Sequence, residues 1–242
     1  MQQKYISHSS AFQAYRRQRN YDHLSLPEGV LDIVVRNQNK KYQSKDFNFH
    51  VFSGIYPRNS FIALNKNEKI VKPELMFYQM AEILPYWQLV LLGLEICGTY
   101  SIHKDADFGF YNNLQPLTSK KKILTYLRSL KNLNKKVKNI TKAFDAALTL
   151  EDNSASPQES RLYFILAARH KYGGYGITGL KFNSKITLSS TSANIAGQKA
   201  IVPDLSIKKN KIAIEYDSDA FHDNTLQNRK DKRRAVGLLH GG

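Results

Sequence analysis

The chain has 242 residues, with 36 Lys or Arg against 20 Asp or Glu, so its net charge is +16. A hydrophobic share of 42% allows a real core, and a single cysteine, Cys97, excludes both an internal disulfide framework and a cysteine-built zinc site. The cation excess calls for an anionic partner, with nucleic acid ahead of an acidic membrane surface.

The N-terminus, beginning Met1-Gln-Gln-Lys-Tyr-Ile, has no apolar core of signal-peptide length. The most apolar stretch, Leu89 to Cys97, is shorter than the about 20 residues that span a bilayer. Both features point to a cytoplasmic protein without a membrane partner.

Residues 1–115 have mixed texture and are expected to form an α+β domain. Leu31 to Val35 reads as a strand, and the alternation from Phe47 to Phe52 as a second. Ser60 to Leu64 and Ile70-Val71 are shorter strand candidates. Pro73 opens a helix on which Leu75, Met76, Met80, Ile83 and Leu84 recur at helical spacing; Pro85 ends it. Trp87 to Cys97 then reads as a buried helix closed by Gly98. His8, His23, His50 and His103 share no ligand-like spacing and are read as structural.

Residues 116–150 read as a basic helical linker. Thr118 or Ser119 can cap a helix. Ile123, Leu127, Leu130, Val137, Ile140, Phe144 and Leu148 keep helical spacings, on one helix or on two broken near Asn132–Asn134. Between Pro116 and Phe144 there are nine Lys or Arg and no acid. A charge run is often only a solvated face. The lack of any acid here favours contact with phosphates, with Lys131, Lys135, Lys138 and Lys142 tracking the backbone of double-stranded DNA.

Residues 151–242 follow a polar linker. Ser156-Pro157-Gln-Glu159 starts a helix running to about His170. Four strand candidates come next: Ile177–Phe182, Lys185–Ser190, Ala200–Ile207 and Lys211–Asp217, the last two joined by a turn at Lys208–Lys211. Asn224 to Leu239 reads as a final helix.

The chemistry resides in four carboxylates, Glu159, Asp204, Glu215 and Asp217. Glu215 and Asp217 are two apart, so on a strand they share a face, and an Asp and a Glu on adjacent strands can point at one ion. Cleavage of a phosphodiester near neutral pH needs an activated water and neutralised phosphate charge; Mg2+ (or Mn2+), held by hard oxygen ligands, supplies both. Each residue also has a plain reading. Ser156 and Glu159 form a capping box, Asp204 follows Pro203 as a turn residue would, Asp217 can cap a loop, and His222 can be an ordinary loop histidine.

Pro203-Asp204, a short spacer and Ile212-Ala-Ile-Glu215-Tyr-Asp217 resemble the signature of the PD-(D/E)XK restriction-endonuclease-like nucleases. Glu215-Tyr-Asp217-Ser-Asp-Ala-Phe-His222, then Asp231-Lys-Arg233-Arg234 and a terminal Gly, are similar to the branch related to very-short-patch-repair endonucleases, whose helix glutamate Glu159 matches. The resemblance covers about 89 residues, from Ser154 to Gly242.

It implies an α/β fold, with a restriction-endonuclease-like mixed sheet flanked by helices following the smaller α+β domain. It also implies a metal-dependent endonuclease. Asp204, Glu215 and Asp217 would be metal ligands, Glu159 a supporting carboxylate, His222 a candidate proton shuttle, and Arg233 and Arg234 phosphate contacts. The third signature position is Asp217 where the general motif has Lys, which leaves Lys199, Lys211 or His222 to assist the water. Members of the branch continue past the final Gly into one more strand, so the resemblance implies a C-terminally truncated form.

Ile6-Ser-His-Ser-Ser-Ala11 and Lys72-Pro-Glu-Leu-Met-Phe are similar to AbiEi-type abortive-infection antitoxin and regulator proteins, which implies a setting in phage defence or regulation. The alternative function is therefore a non-catalytic DNA-binding regulator or antitoxin on a decayed nuclease fold. A protein-interaction module that uses the basic helix against an acidic partner is a further one.

Overall fold

The computed structural model describes residues 3–21, 24–37 and 44–216. The chain is mixed α/β, and its contacts divide it into two units, residues 1–152 and 153–242. Asp217, His222, Asp231, Arg233, Arg234 and the helix expected over Asn224 to Leu239 lie outside the described residues.

The first unit is built on a five-stranded sheet. Its strands are β1 (Lys4–Ile6), β2 (Leu31–Val35), β3 (Phe47–Val51), β4 (Phe61–Ala63) and β5 (Glu68–Val71), in the spatial order β3-β2-β1-β5-β4. β1 is central, antiparallel to β2 and parallel to β5, and Ile6 lies level with both Ile33 and Ile70. All three isoleucines are buried, so the sheet's midline is a single apolar row. A three-residue strand is too short to show a period of two, and β1 is accordingly invisible in the sequence.

Helix α1 (His8–Tyr21) follows β1 directly. Helices α2 (Pro73–Ile83) and α3 (Tyr86–Cys97) fall where the proline and glycine signals put them, and a short antiparallel pair, β6 (Ser101–Ile102) with β7 (Phe110–Tyr111), follows α3. Pro73 sits in the first turn of α2, and Leu84 before Pro85 is extended, as the pyrrolidine ring requires of its predecessor. Cys97 is fully buried on α3, and burial, reinforced by Asp152, pushes its thiol well above the ordinary range.

The basic segment forms two helices, α4 (Lys120–Leu133) and α5 (Ile140–Thr149), packed on α2 and α3 within this unit. Ser119 caps α4 by accepting the Lys122 N–H, while Thr118 donates to Glu74. The break comes from Asn134, whose side chain accepts from the Ile55 N–H (2.7 Å) and donates to the carbonyls of Ile55 and Leu130, and from Asn139 in the left-handed region. The break resets the helical phase. On α4 the expected stripe of Ile123, Leu127 and Leu130 is buried, but on α5 the buried residues are Ala143, Ala146 and Ala147, and Leu148 is exposed. Small residues let α5 come close to α3, and a Cβ at Gly93 would collide with the buried side chains of Leu150 and Phe77.

One buried charge fixes α1 against α3. Glu95, 2% exposed, takes a two-pronged bond from Arg16, Nε at 2.7 Å and Nη2 at 2.6 Å, and accepts the Ile102 N–H as well. Arg19 caps the end of α3 by donating to the carbonyls of Glu95, Gly98 and Tyr100.

The second unit begins with α6 (Pro157–Ala167) and carries a three-stranded antiparallel sheet, β12-β11-β8, from β8 (Lys181–Phe182), β11 (Leu205–Ile207) and β12 (Ile212–Ile214). A two-stranded pair, β9 (Ile186–Thr187) with β10 (Ala200–Ile201), encloses the short helix α7 (Ser190–Ala196). The strand expected over Ala200–Ile207 is thus two strands. Pro203 cannot donate to a ladder, and the chain bends at Asp204 between them. Tyr163 packs its ring on Phe182, beside buried Leu180, Leu205 and Ile207. A Cβ at Gly174 would strike the backbone carbonyl of Ala168, so only glycine fits the turn after α6. Among the described residues no helix is long and apolar enough to cross a membrane.

Two outcomes follow from these buried groups. Glu95→Ala leaves the Arg16 guanidinium facing a pocket with no anion and is expected to destabilise the protein by about 3–5 kcal/mol in denaturant unfolding. Tyr15, Tyr56 and Tyr126 are pushed above their ordinary value by burial, and Tyr78 is pushed up to about 12. A phenol whose folded pKa lies above its unfolded value of 10.0 contributes stability that is complete below that pH and lost as pH rises toward the folded value. Phenolate absorbance during an alkaline titration should therefore rise later for these four than for a free tyrosine, and stability in denaturant should fall over the same pH range.

Candidate functional site

In the second unit the structure brings Glu159 and Asp204 together. Glu159 sits in the first turn of α6, where the Ser156 hydroxyl accepts its N–H (3.1 Å). Its own carboxylate accepts from the Ala155 N–H and from the Asn183 side-chain amide, both at 3.0 Å. The capping reading of Ser156 and Glu159 is thus realised, with the return bond going to Ala155 in place of the cap residue itself.

Glu159 is 7% exposed, and burial raises its pKa; the bonds from Ala155, Asn183 and Ser156 oppose the rise, and the charge of Asp204 adds to it. Asn183 also holds Asp204 from the other side, donating its backbone N–H to the Asp204 carbonyl.

Asp204 precedes β11 and Glu215 follows β12. The ladder pairs Leu205 with Ile214 and Ile207 with Ile212, so one step further along the register sets Asp204 opposite Glu215, on the same side of the hairpin. The Asp204 Oδ2 accepts the Tyr216 N–H at 2.6 Å, and Glu215 is exposed. Glu159, Asp204 and Glu215 do not converge as a three-ligand group among the described residues. Asp217 and His222, expected to join them, lie outside the described residues.

The group that does converge is in the first unit: His8, His50 and Glu82 each offer a ligand atom, and these atoms lie within 4.8 Å of one another. This spacing can hold a metal ion. The histidines read from the sequence as unrelated are brought together by the fold, with His8 opening α1, His50 on β3 and Glu82 on α2.

Their rings are stacked, centroids 3.6 Å apart at 19°. Burial lowers the His8 pKa to about 3, with the neighbouring His50 acting in the same direction and Asp32 against it, so His8 is neutral. His50 Nε2 lies 2.9 Å from Asp32 Oδ1. Asp32 also takes the Asn48 amide and the N–H and hydroxyl of Ser10. Burial alone would raise Asp32, but the bonds from His50 and Asn48 outweigh it and hold the carboxyl below its ordinary value.

Only part of the cationic helix face is free. Lys131 and Lys135 are exposed. Lys138 lies 3.6 Å from Glu82, and Lys142 donates to the Leu84 carbonyl at 2.9 Å, closing the C-terminal end of α2. An open groove of about 880 Å³ is lined by Arg58, Lys72, Lys121 and Lys122, together with Glu74 and Tyr126. Arg58 and Lys72 are far from the basic segment in sequence, so a charge run could not have revealed them. In comparisons with protein families, with curated proteins and with solved structures, the chain gives no significant match.

The lysine geometry separates two roles. Lys142→Met should cost about 1 kcal/mol, the worth of a typical internal hydrogen bond. Lys131→Met and Lys135→Met should each stay within about 0.5 kcal/mol, as exposed positions do. Thermal or urea unfolding of the three variants checks the ordering.

Proposed function

We propose that residues 153–242 form a restriction-endonuclease-like nuclease of the PD-(D/E)XK class that cleaves DNA phosphodiester bonds with Mg2+ (or Mn2+). The observation that carries this reading is the cross-strand opposition of Asp204 and Glu215 beside the buried Glu159. The order of α6, β8, β11 and β12, with the three strands antiparallel, is compatible with it. Asp204 and Glu215 hold the metal, Asp217 and Glu159 support it, and His222 shuttles the proton.

The bound metal supplies an activated water and neutralises charge on the phosphate. In residues 1–152, Lys131 and Lys135 follow the DNA backbone, and the cations of the groove around Lys121 add to them; in residues 153–242, Arg233 and Arg234 contact phosphate. Lys138 and Lys142, bonded to Glu82 and Leu84, contribute less. No step needs a membrane.

A second reading is a non-catalytic DNA-binding regulator or antitoxin on the same fold. One observation favours it: Asp204 Oδ2 already accepts the Tyr216 N–H, and among the described residues three carboxylates do not converge.

Glu215→Gln separates the two. It keeps the side chain's shape and removes the charge that holds a hard dication. Under the nuclease reading, the wild type nicks supercoiled plasmid in Mg2+ or Mn2+ and the variant does not, while melting temperature and DNA retention are unchanged. Nicking by a well-folded Glu215→Gln protein at the wild-type rate removes the proposed site. A wild type that binds DNA but never nicks it supports the regulator.

A further inference from the structure

We propose that His8, His50 and Glu82 form a binding site for a transition-metal ion of the Zn2+ class in residues 1–152, a different site from the carboxylates of the nuclease reading. The argument starts from an orphaned atom. His8 is 2% exposed, its Nδ1 lies 2.9 Å from the Ser7 hydroxyl, and its buried Nε2 has no hydrogen-bond partner. A buried polar atom left unpartnered is costly, and the fold has kept it.

The group facing that nitrogen is Glu82, with Oε2 at 3.9 Å, beyond hydrogen-bond reach. In the tautomer whose Nδ1–H donates to the Ser7 hydroxyl, Nε2 presents a lone pair to a carboxylate oxygen. Two bases face each other across a gap. A metal bonded to nitrogen at about 2.0–2.1 Å and to oxygen at about 2.0–2.2 Å fills a gap of this size at a wide bond angle, and closes it by some tenths of an ångström at a tetrahedral one.

The surroundings of His50 match what a metal-bound imidazole needs. Its Nε2 is engaged by Asp32, itself held by Asn48 and Ser10, which leaves Nδ1 as the ligand atom. A carboxylate behind the histidine fixes its tautomer and raises its basicity. Asp32 and Ser7 are positioning residues in this scheme.

The two ring planes are nearly parallel, with centroids 3.6 Å apart, so one ring has to shift for both nitrogens to meet one ion. His50 has more room than His8, with a side chain 15% exposed against 2%, and a small pivot about its Nε2 keeps the bond to Asp32. Glu82 is 45% exposed and can release Lys138 to close the site, giving the ion a path from solvent and a fourth position for water. Two imidazoles and one carboxylate select Zn2+, Co2+ or Ni2+ over Mg2+, which takes oxygen ligands.

The test uses the full chain, stripped with a chelator and titrated with Zn2+ by calorimetry and with Co2+ by visible absorption. The expected result is one equivalent bound per chain, a Co2+ spectrum of four-coordinate intensity, and a higher melting temperature with Zn2+. Glu82→Gln changes a half-exposed residue and keeps the fold. It should weaken binding by more than the about 10–100-fold that loss of an outer hydrogen-bond partner costs.

His50→Ala should abolish the Co2+ spectrum, with circular dichroism as the folding control, and Asp204→Ala should leave it intact. Absence of stoichiometric binding in the wild type overturns the proposal. So does binding that survives Glu82→Gln undiminished, or that disappears in Asp204→Ala.

Discussion

Glu95 is an anion enclosed in a helix, and the position of α1 depends on how it is neutralised. A lone buried carboxylate is disfavoured by several kcal/mol, so α1 has to come to it with Arg16 in a geometry that satisfies both oxygens. Arg19 then closes the end of α3 from the same helix. With the C-terminal half of α1 locked in this way, its N-terminal end is delivered to the centre of the sheet, where Ser10 meets Asp32 and His8 meets His50. The histidine cluster thus inherits its precision from a charge pair two helical turns away.

The two candidate sites are assembled by different means. In the C-terminal unit, opposition of acids comes from strand register, which a single hairpin fixes once Leu205 is set against Ile214. In the N-terminal unit, ligands arrive from three elements separated by long stretches of chain, and their convergence exists only after the sheet and α2 have packed. The first kind of site tolerates sequence drift in the connecting loops. The second fails as a whole if any of its three elements shifts.

This difference explains what the sequence disclosed. Strands β2, β3 and β5 and helices α2 and α3 were legible because proline, glycine and alternation mark them locally. Glu159 was legible because Ser-x-x-Glu is itself a local signal. Pro203 was read as part of a motif, while its simpler effect, breaking a strand in two, decided the secondary structure there. His8 and His50 are 42 positions apart, and no spacing rule links them; the signal available was the polar Ser7-His8-Ser9-Ser10 run directly after an apolar strand end. The lysines of α4 and α5 looked equivalent by charge. Only packing distinguishes Lys142, turned back to a carbonyl, from Lys131 in solvent.

The burial of Cys97 has a practical consequence. The chain's single thiol is sealed in α3 and held protonated, so it offers little thiolate to alkylating reagents or oxidants. The native protein is therefore chemically silent toward maleimide dyes and nitroxide labels. A cysteine introduced at one exposed position, such as Lys131, becomes the sole reactive handle without further engineering. The mobility or emission of a label on such a handle can follow ligand arrival nearby, and the same silence keeps the native molecule from forming disulfide-linked dimers under oxidising handling.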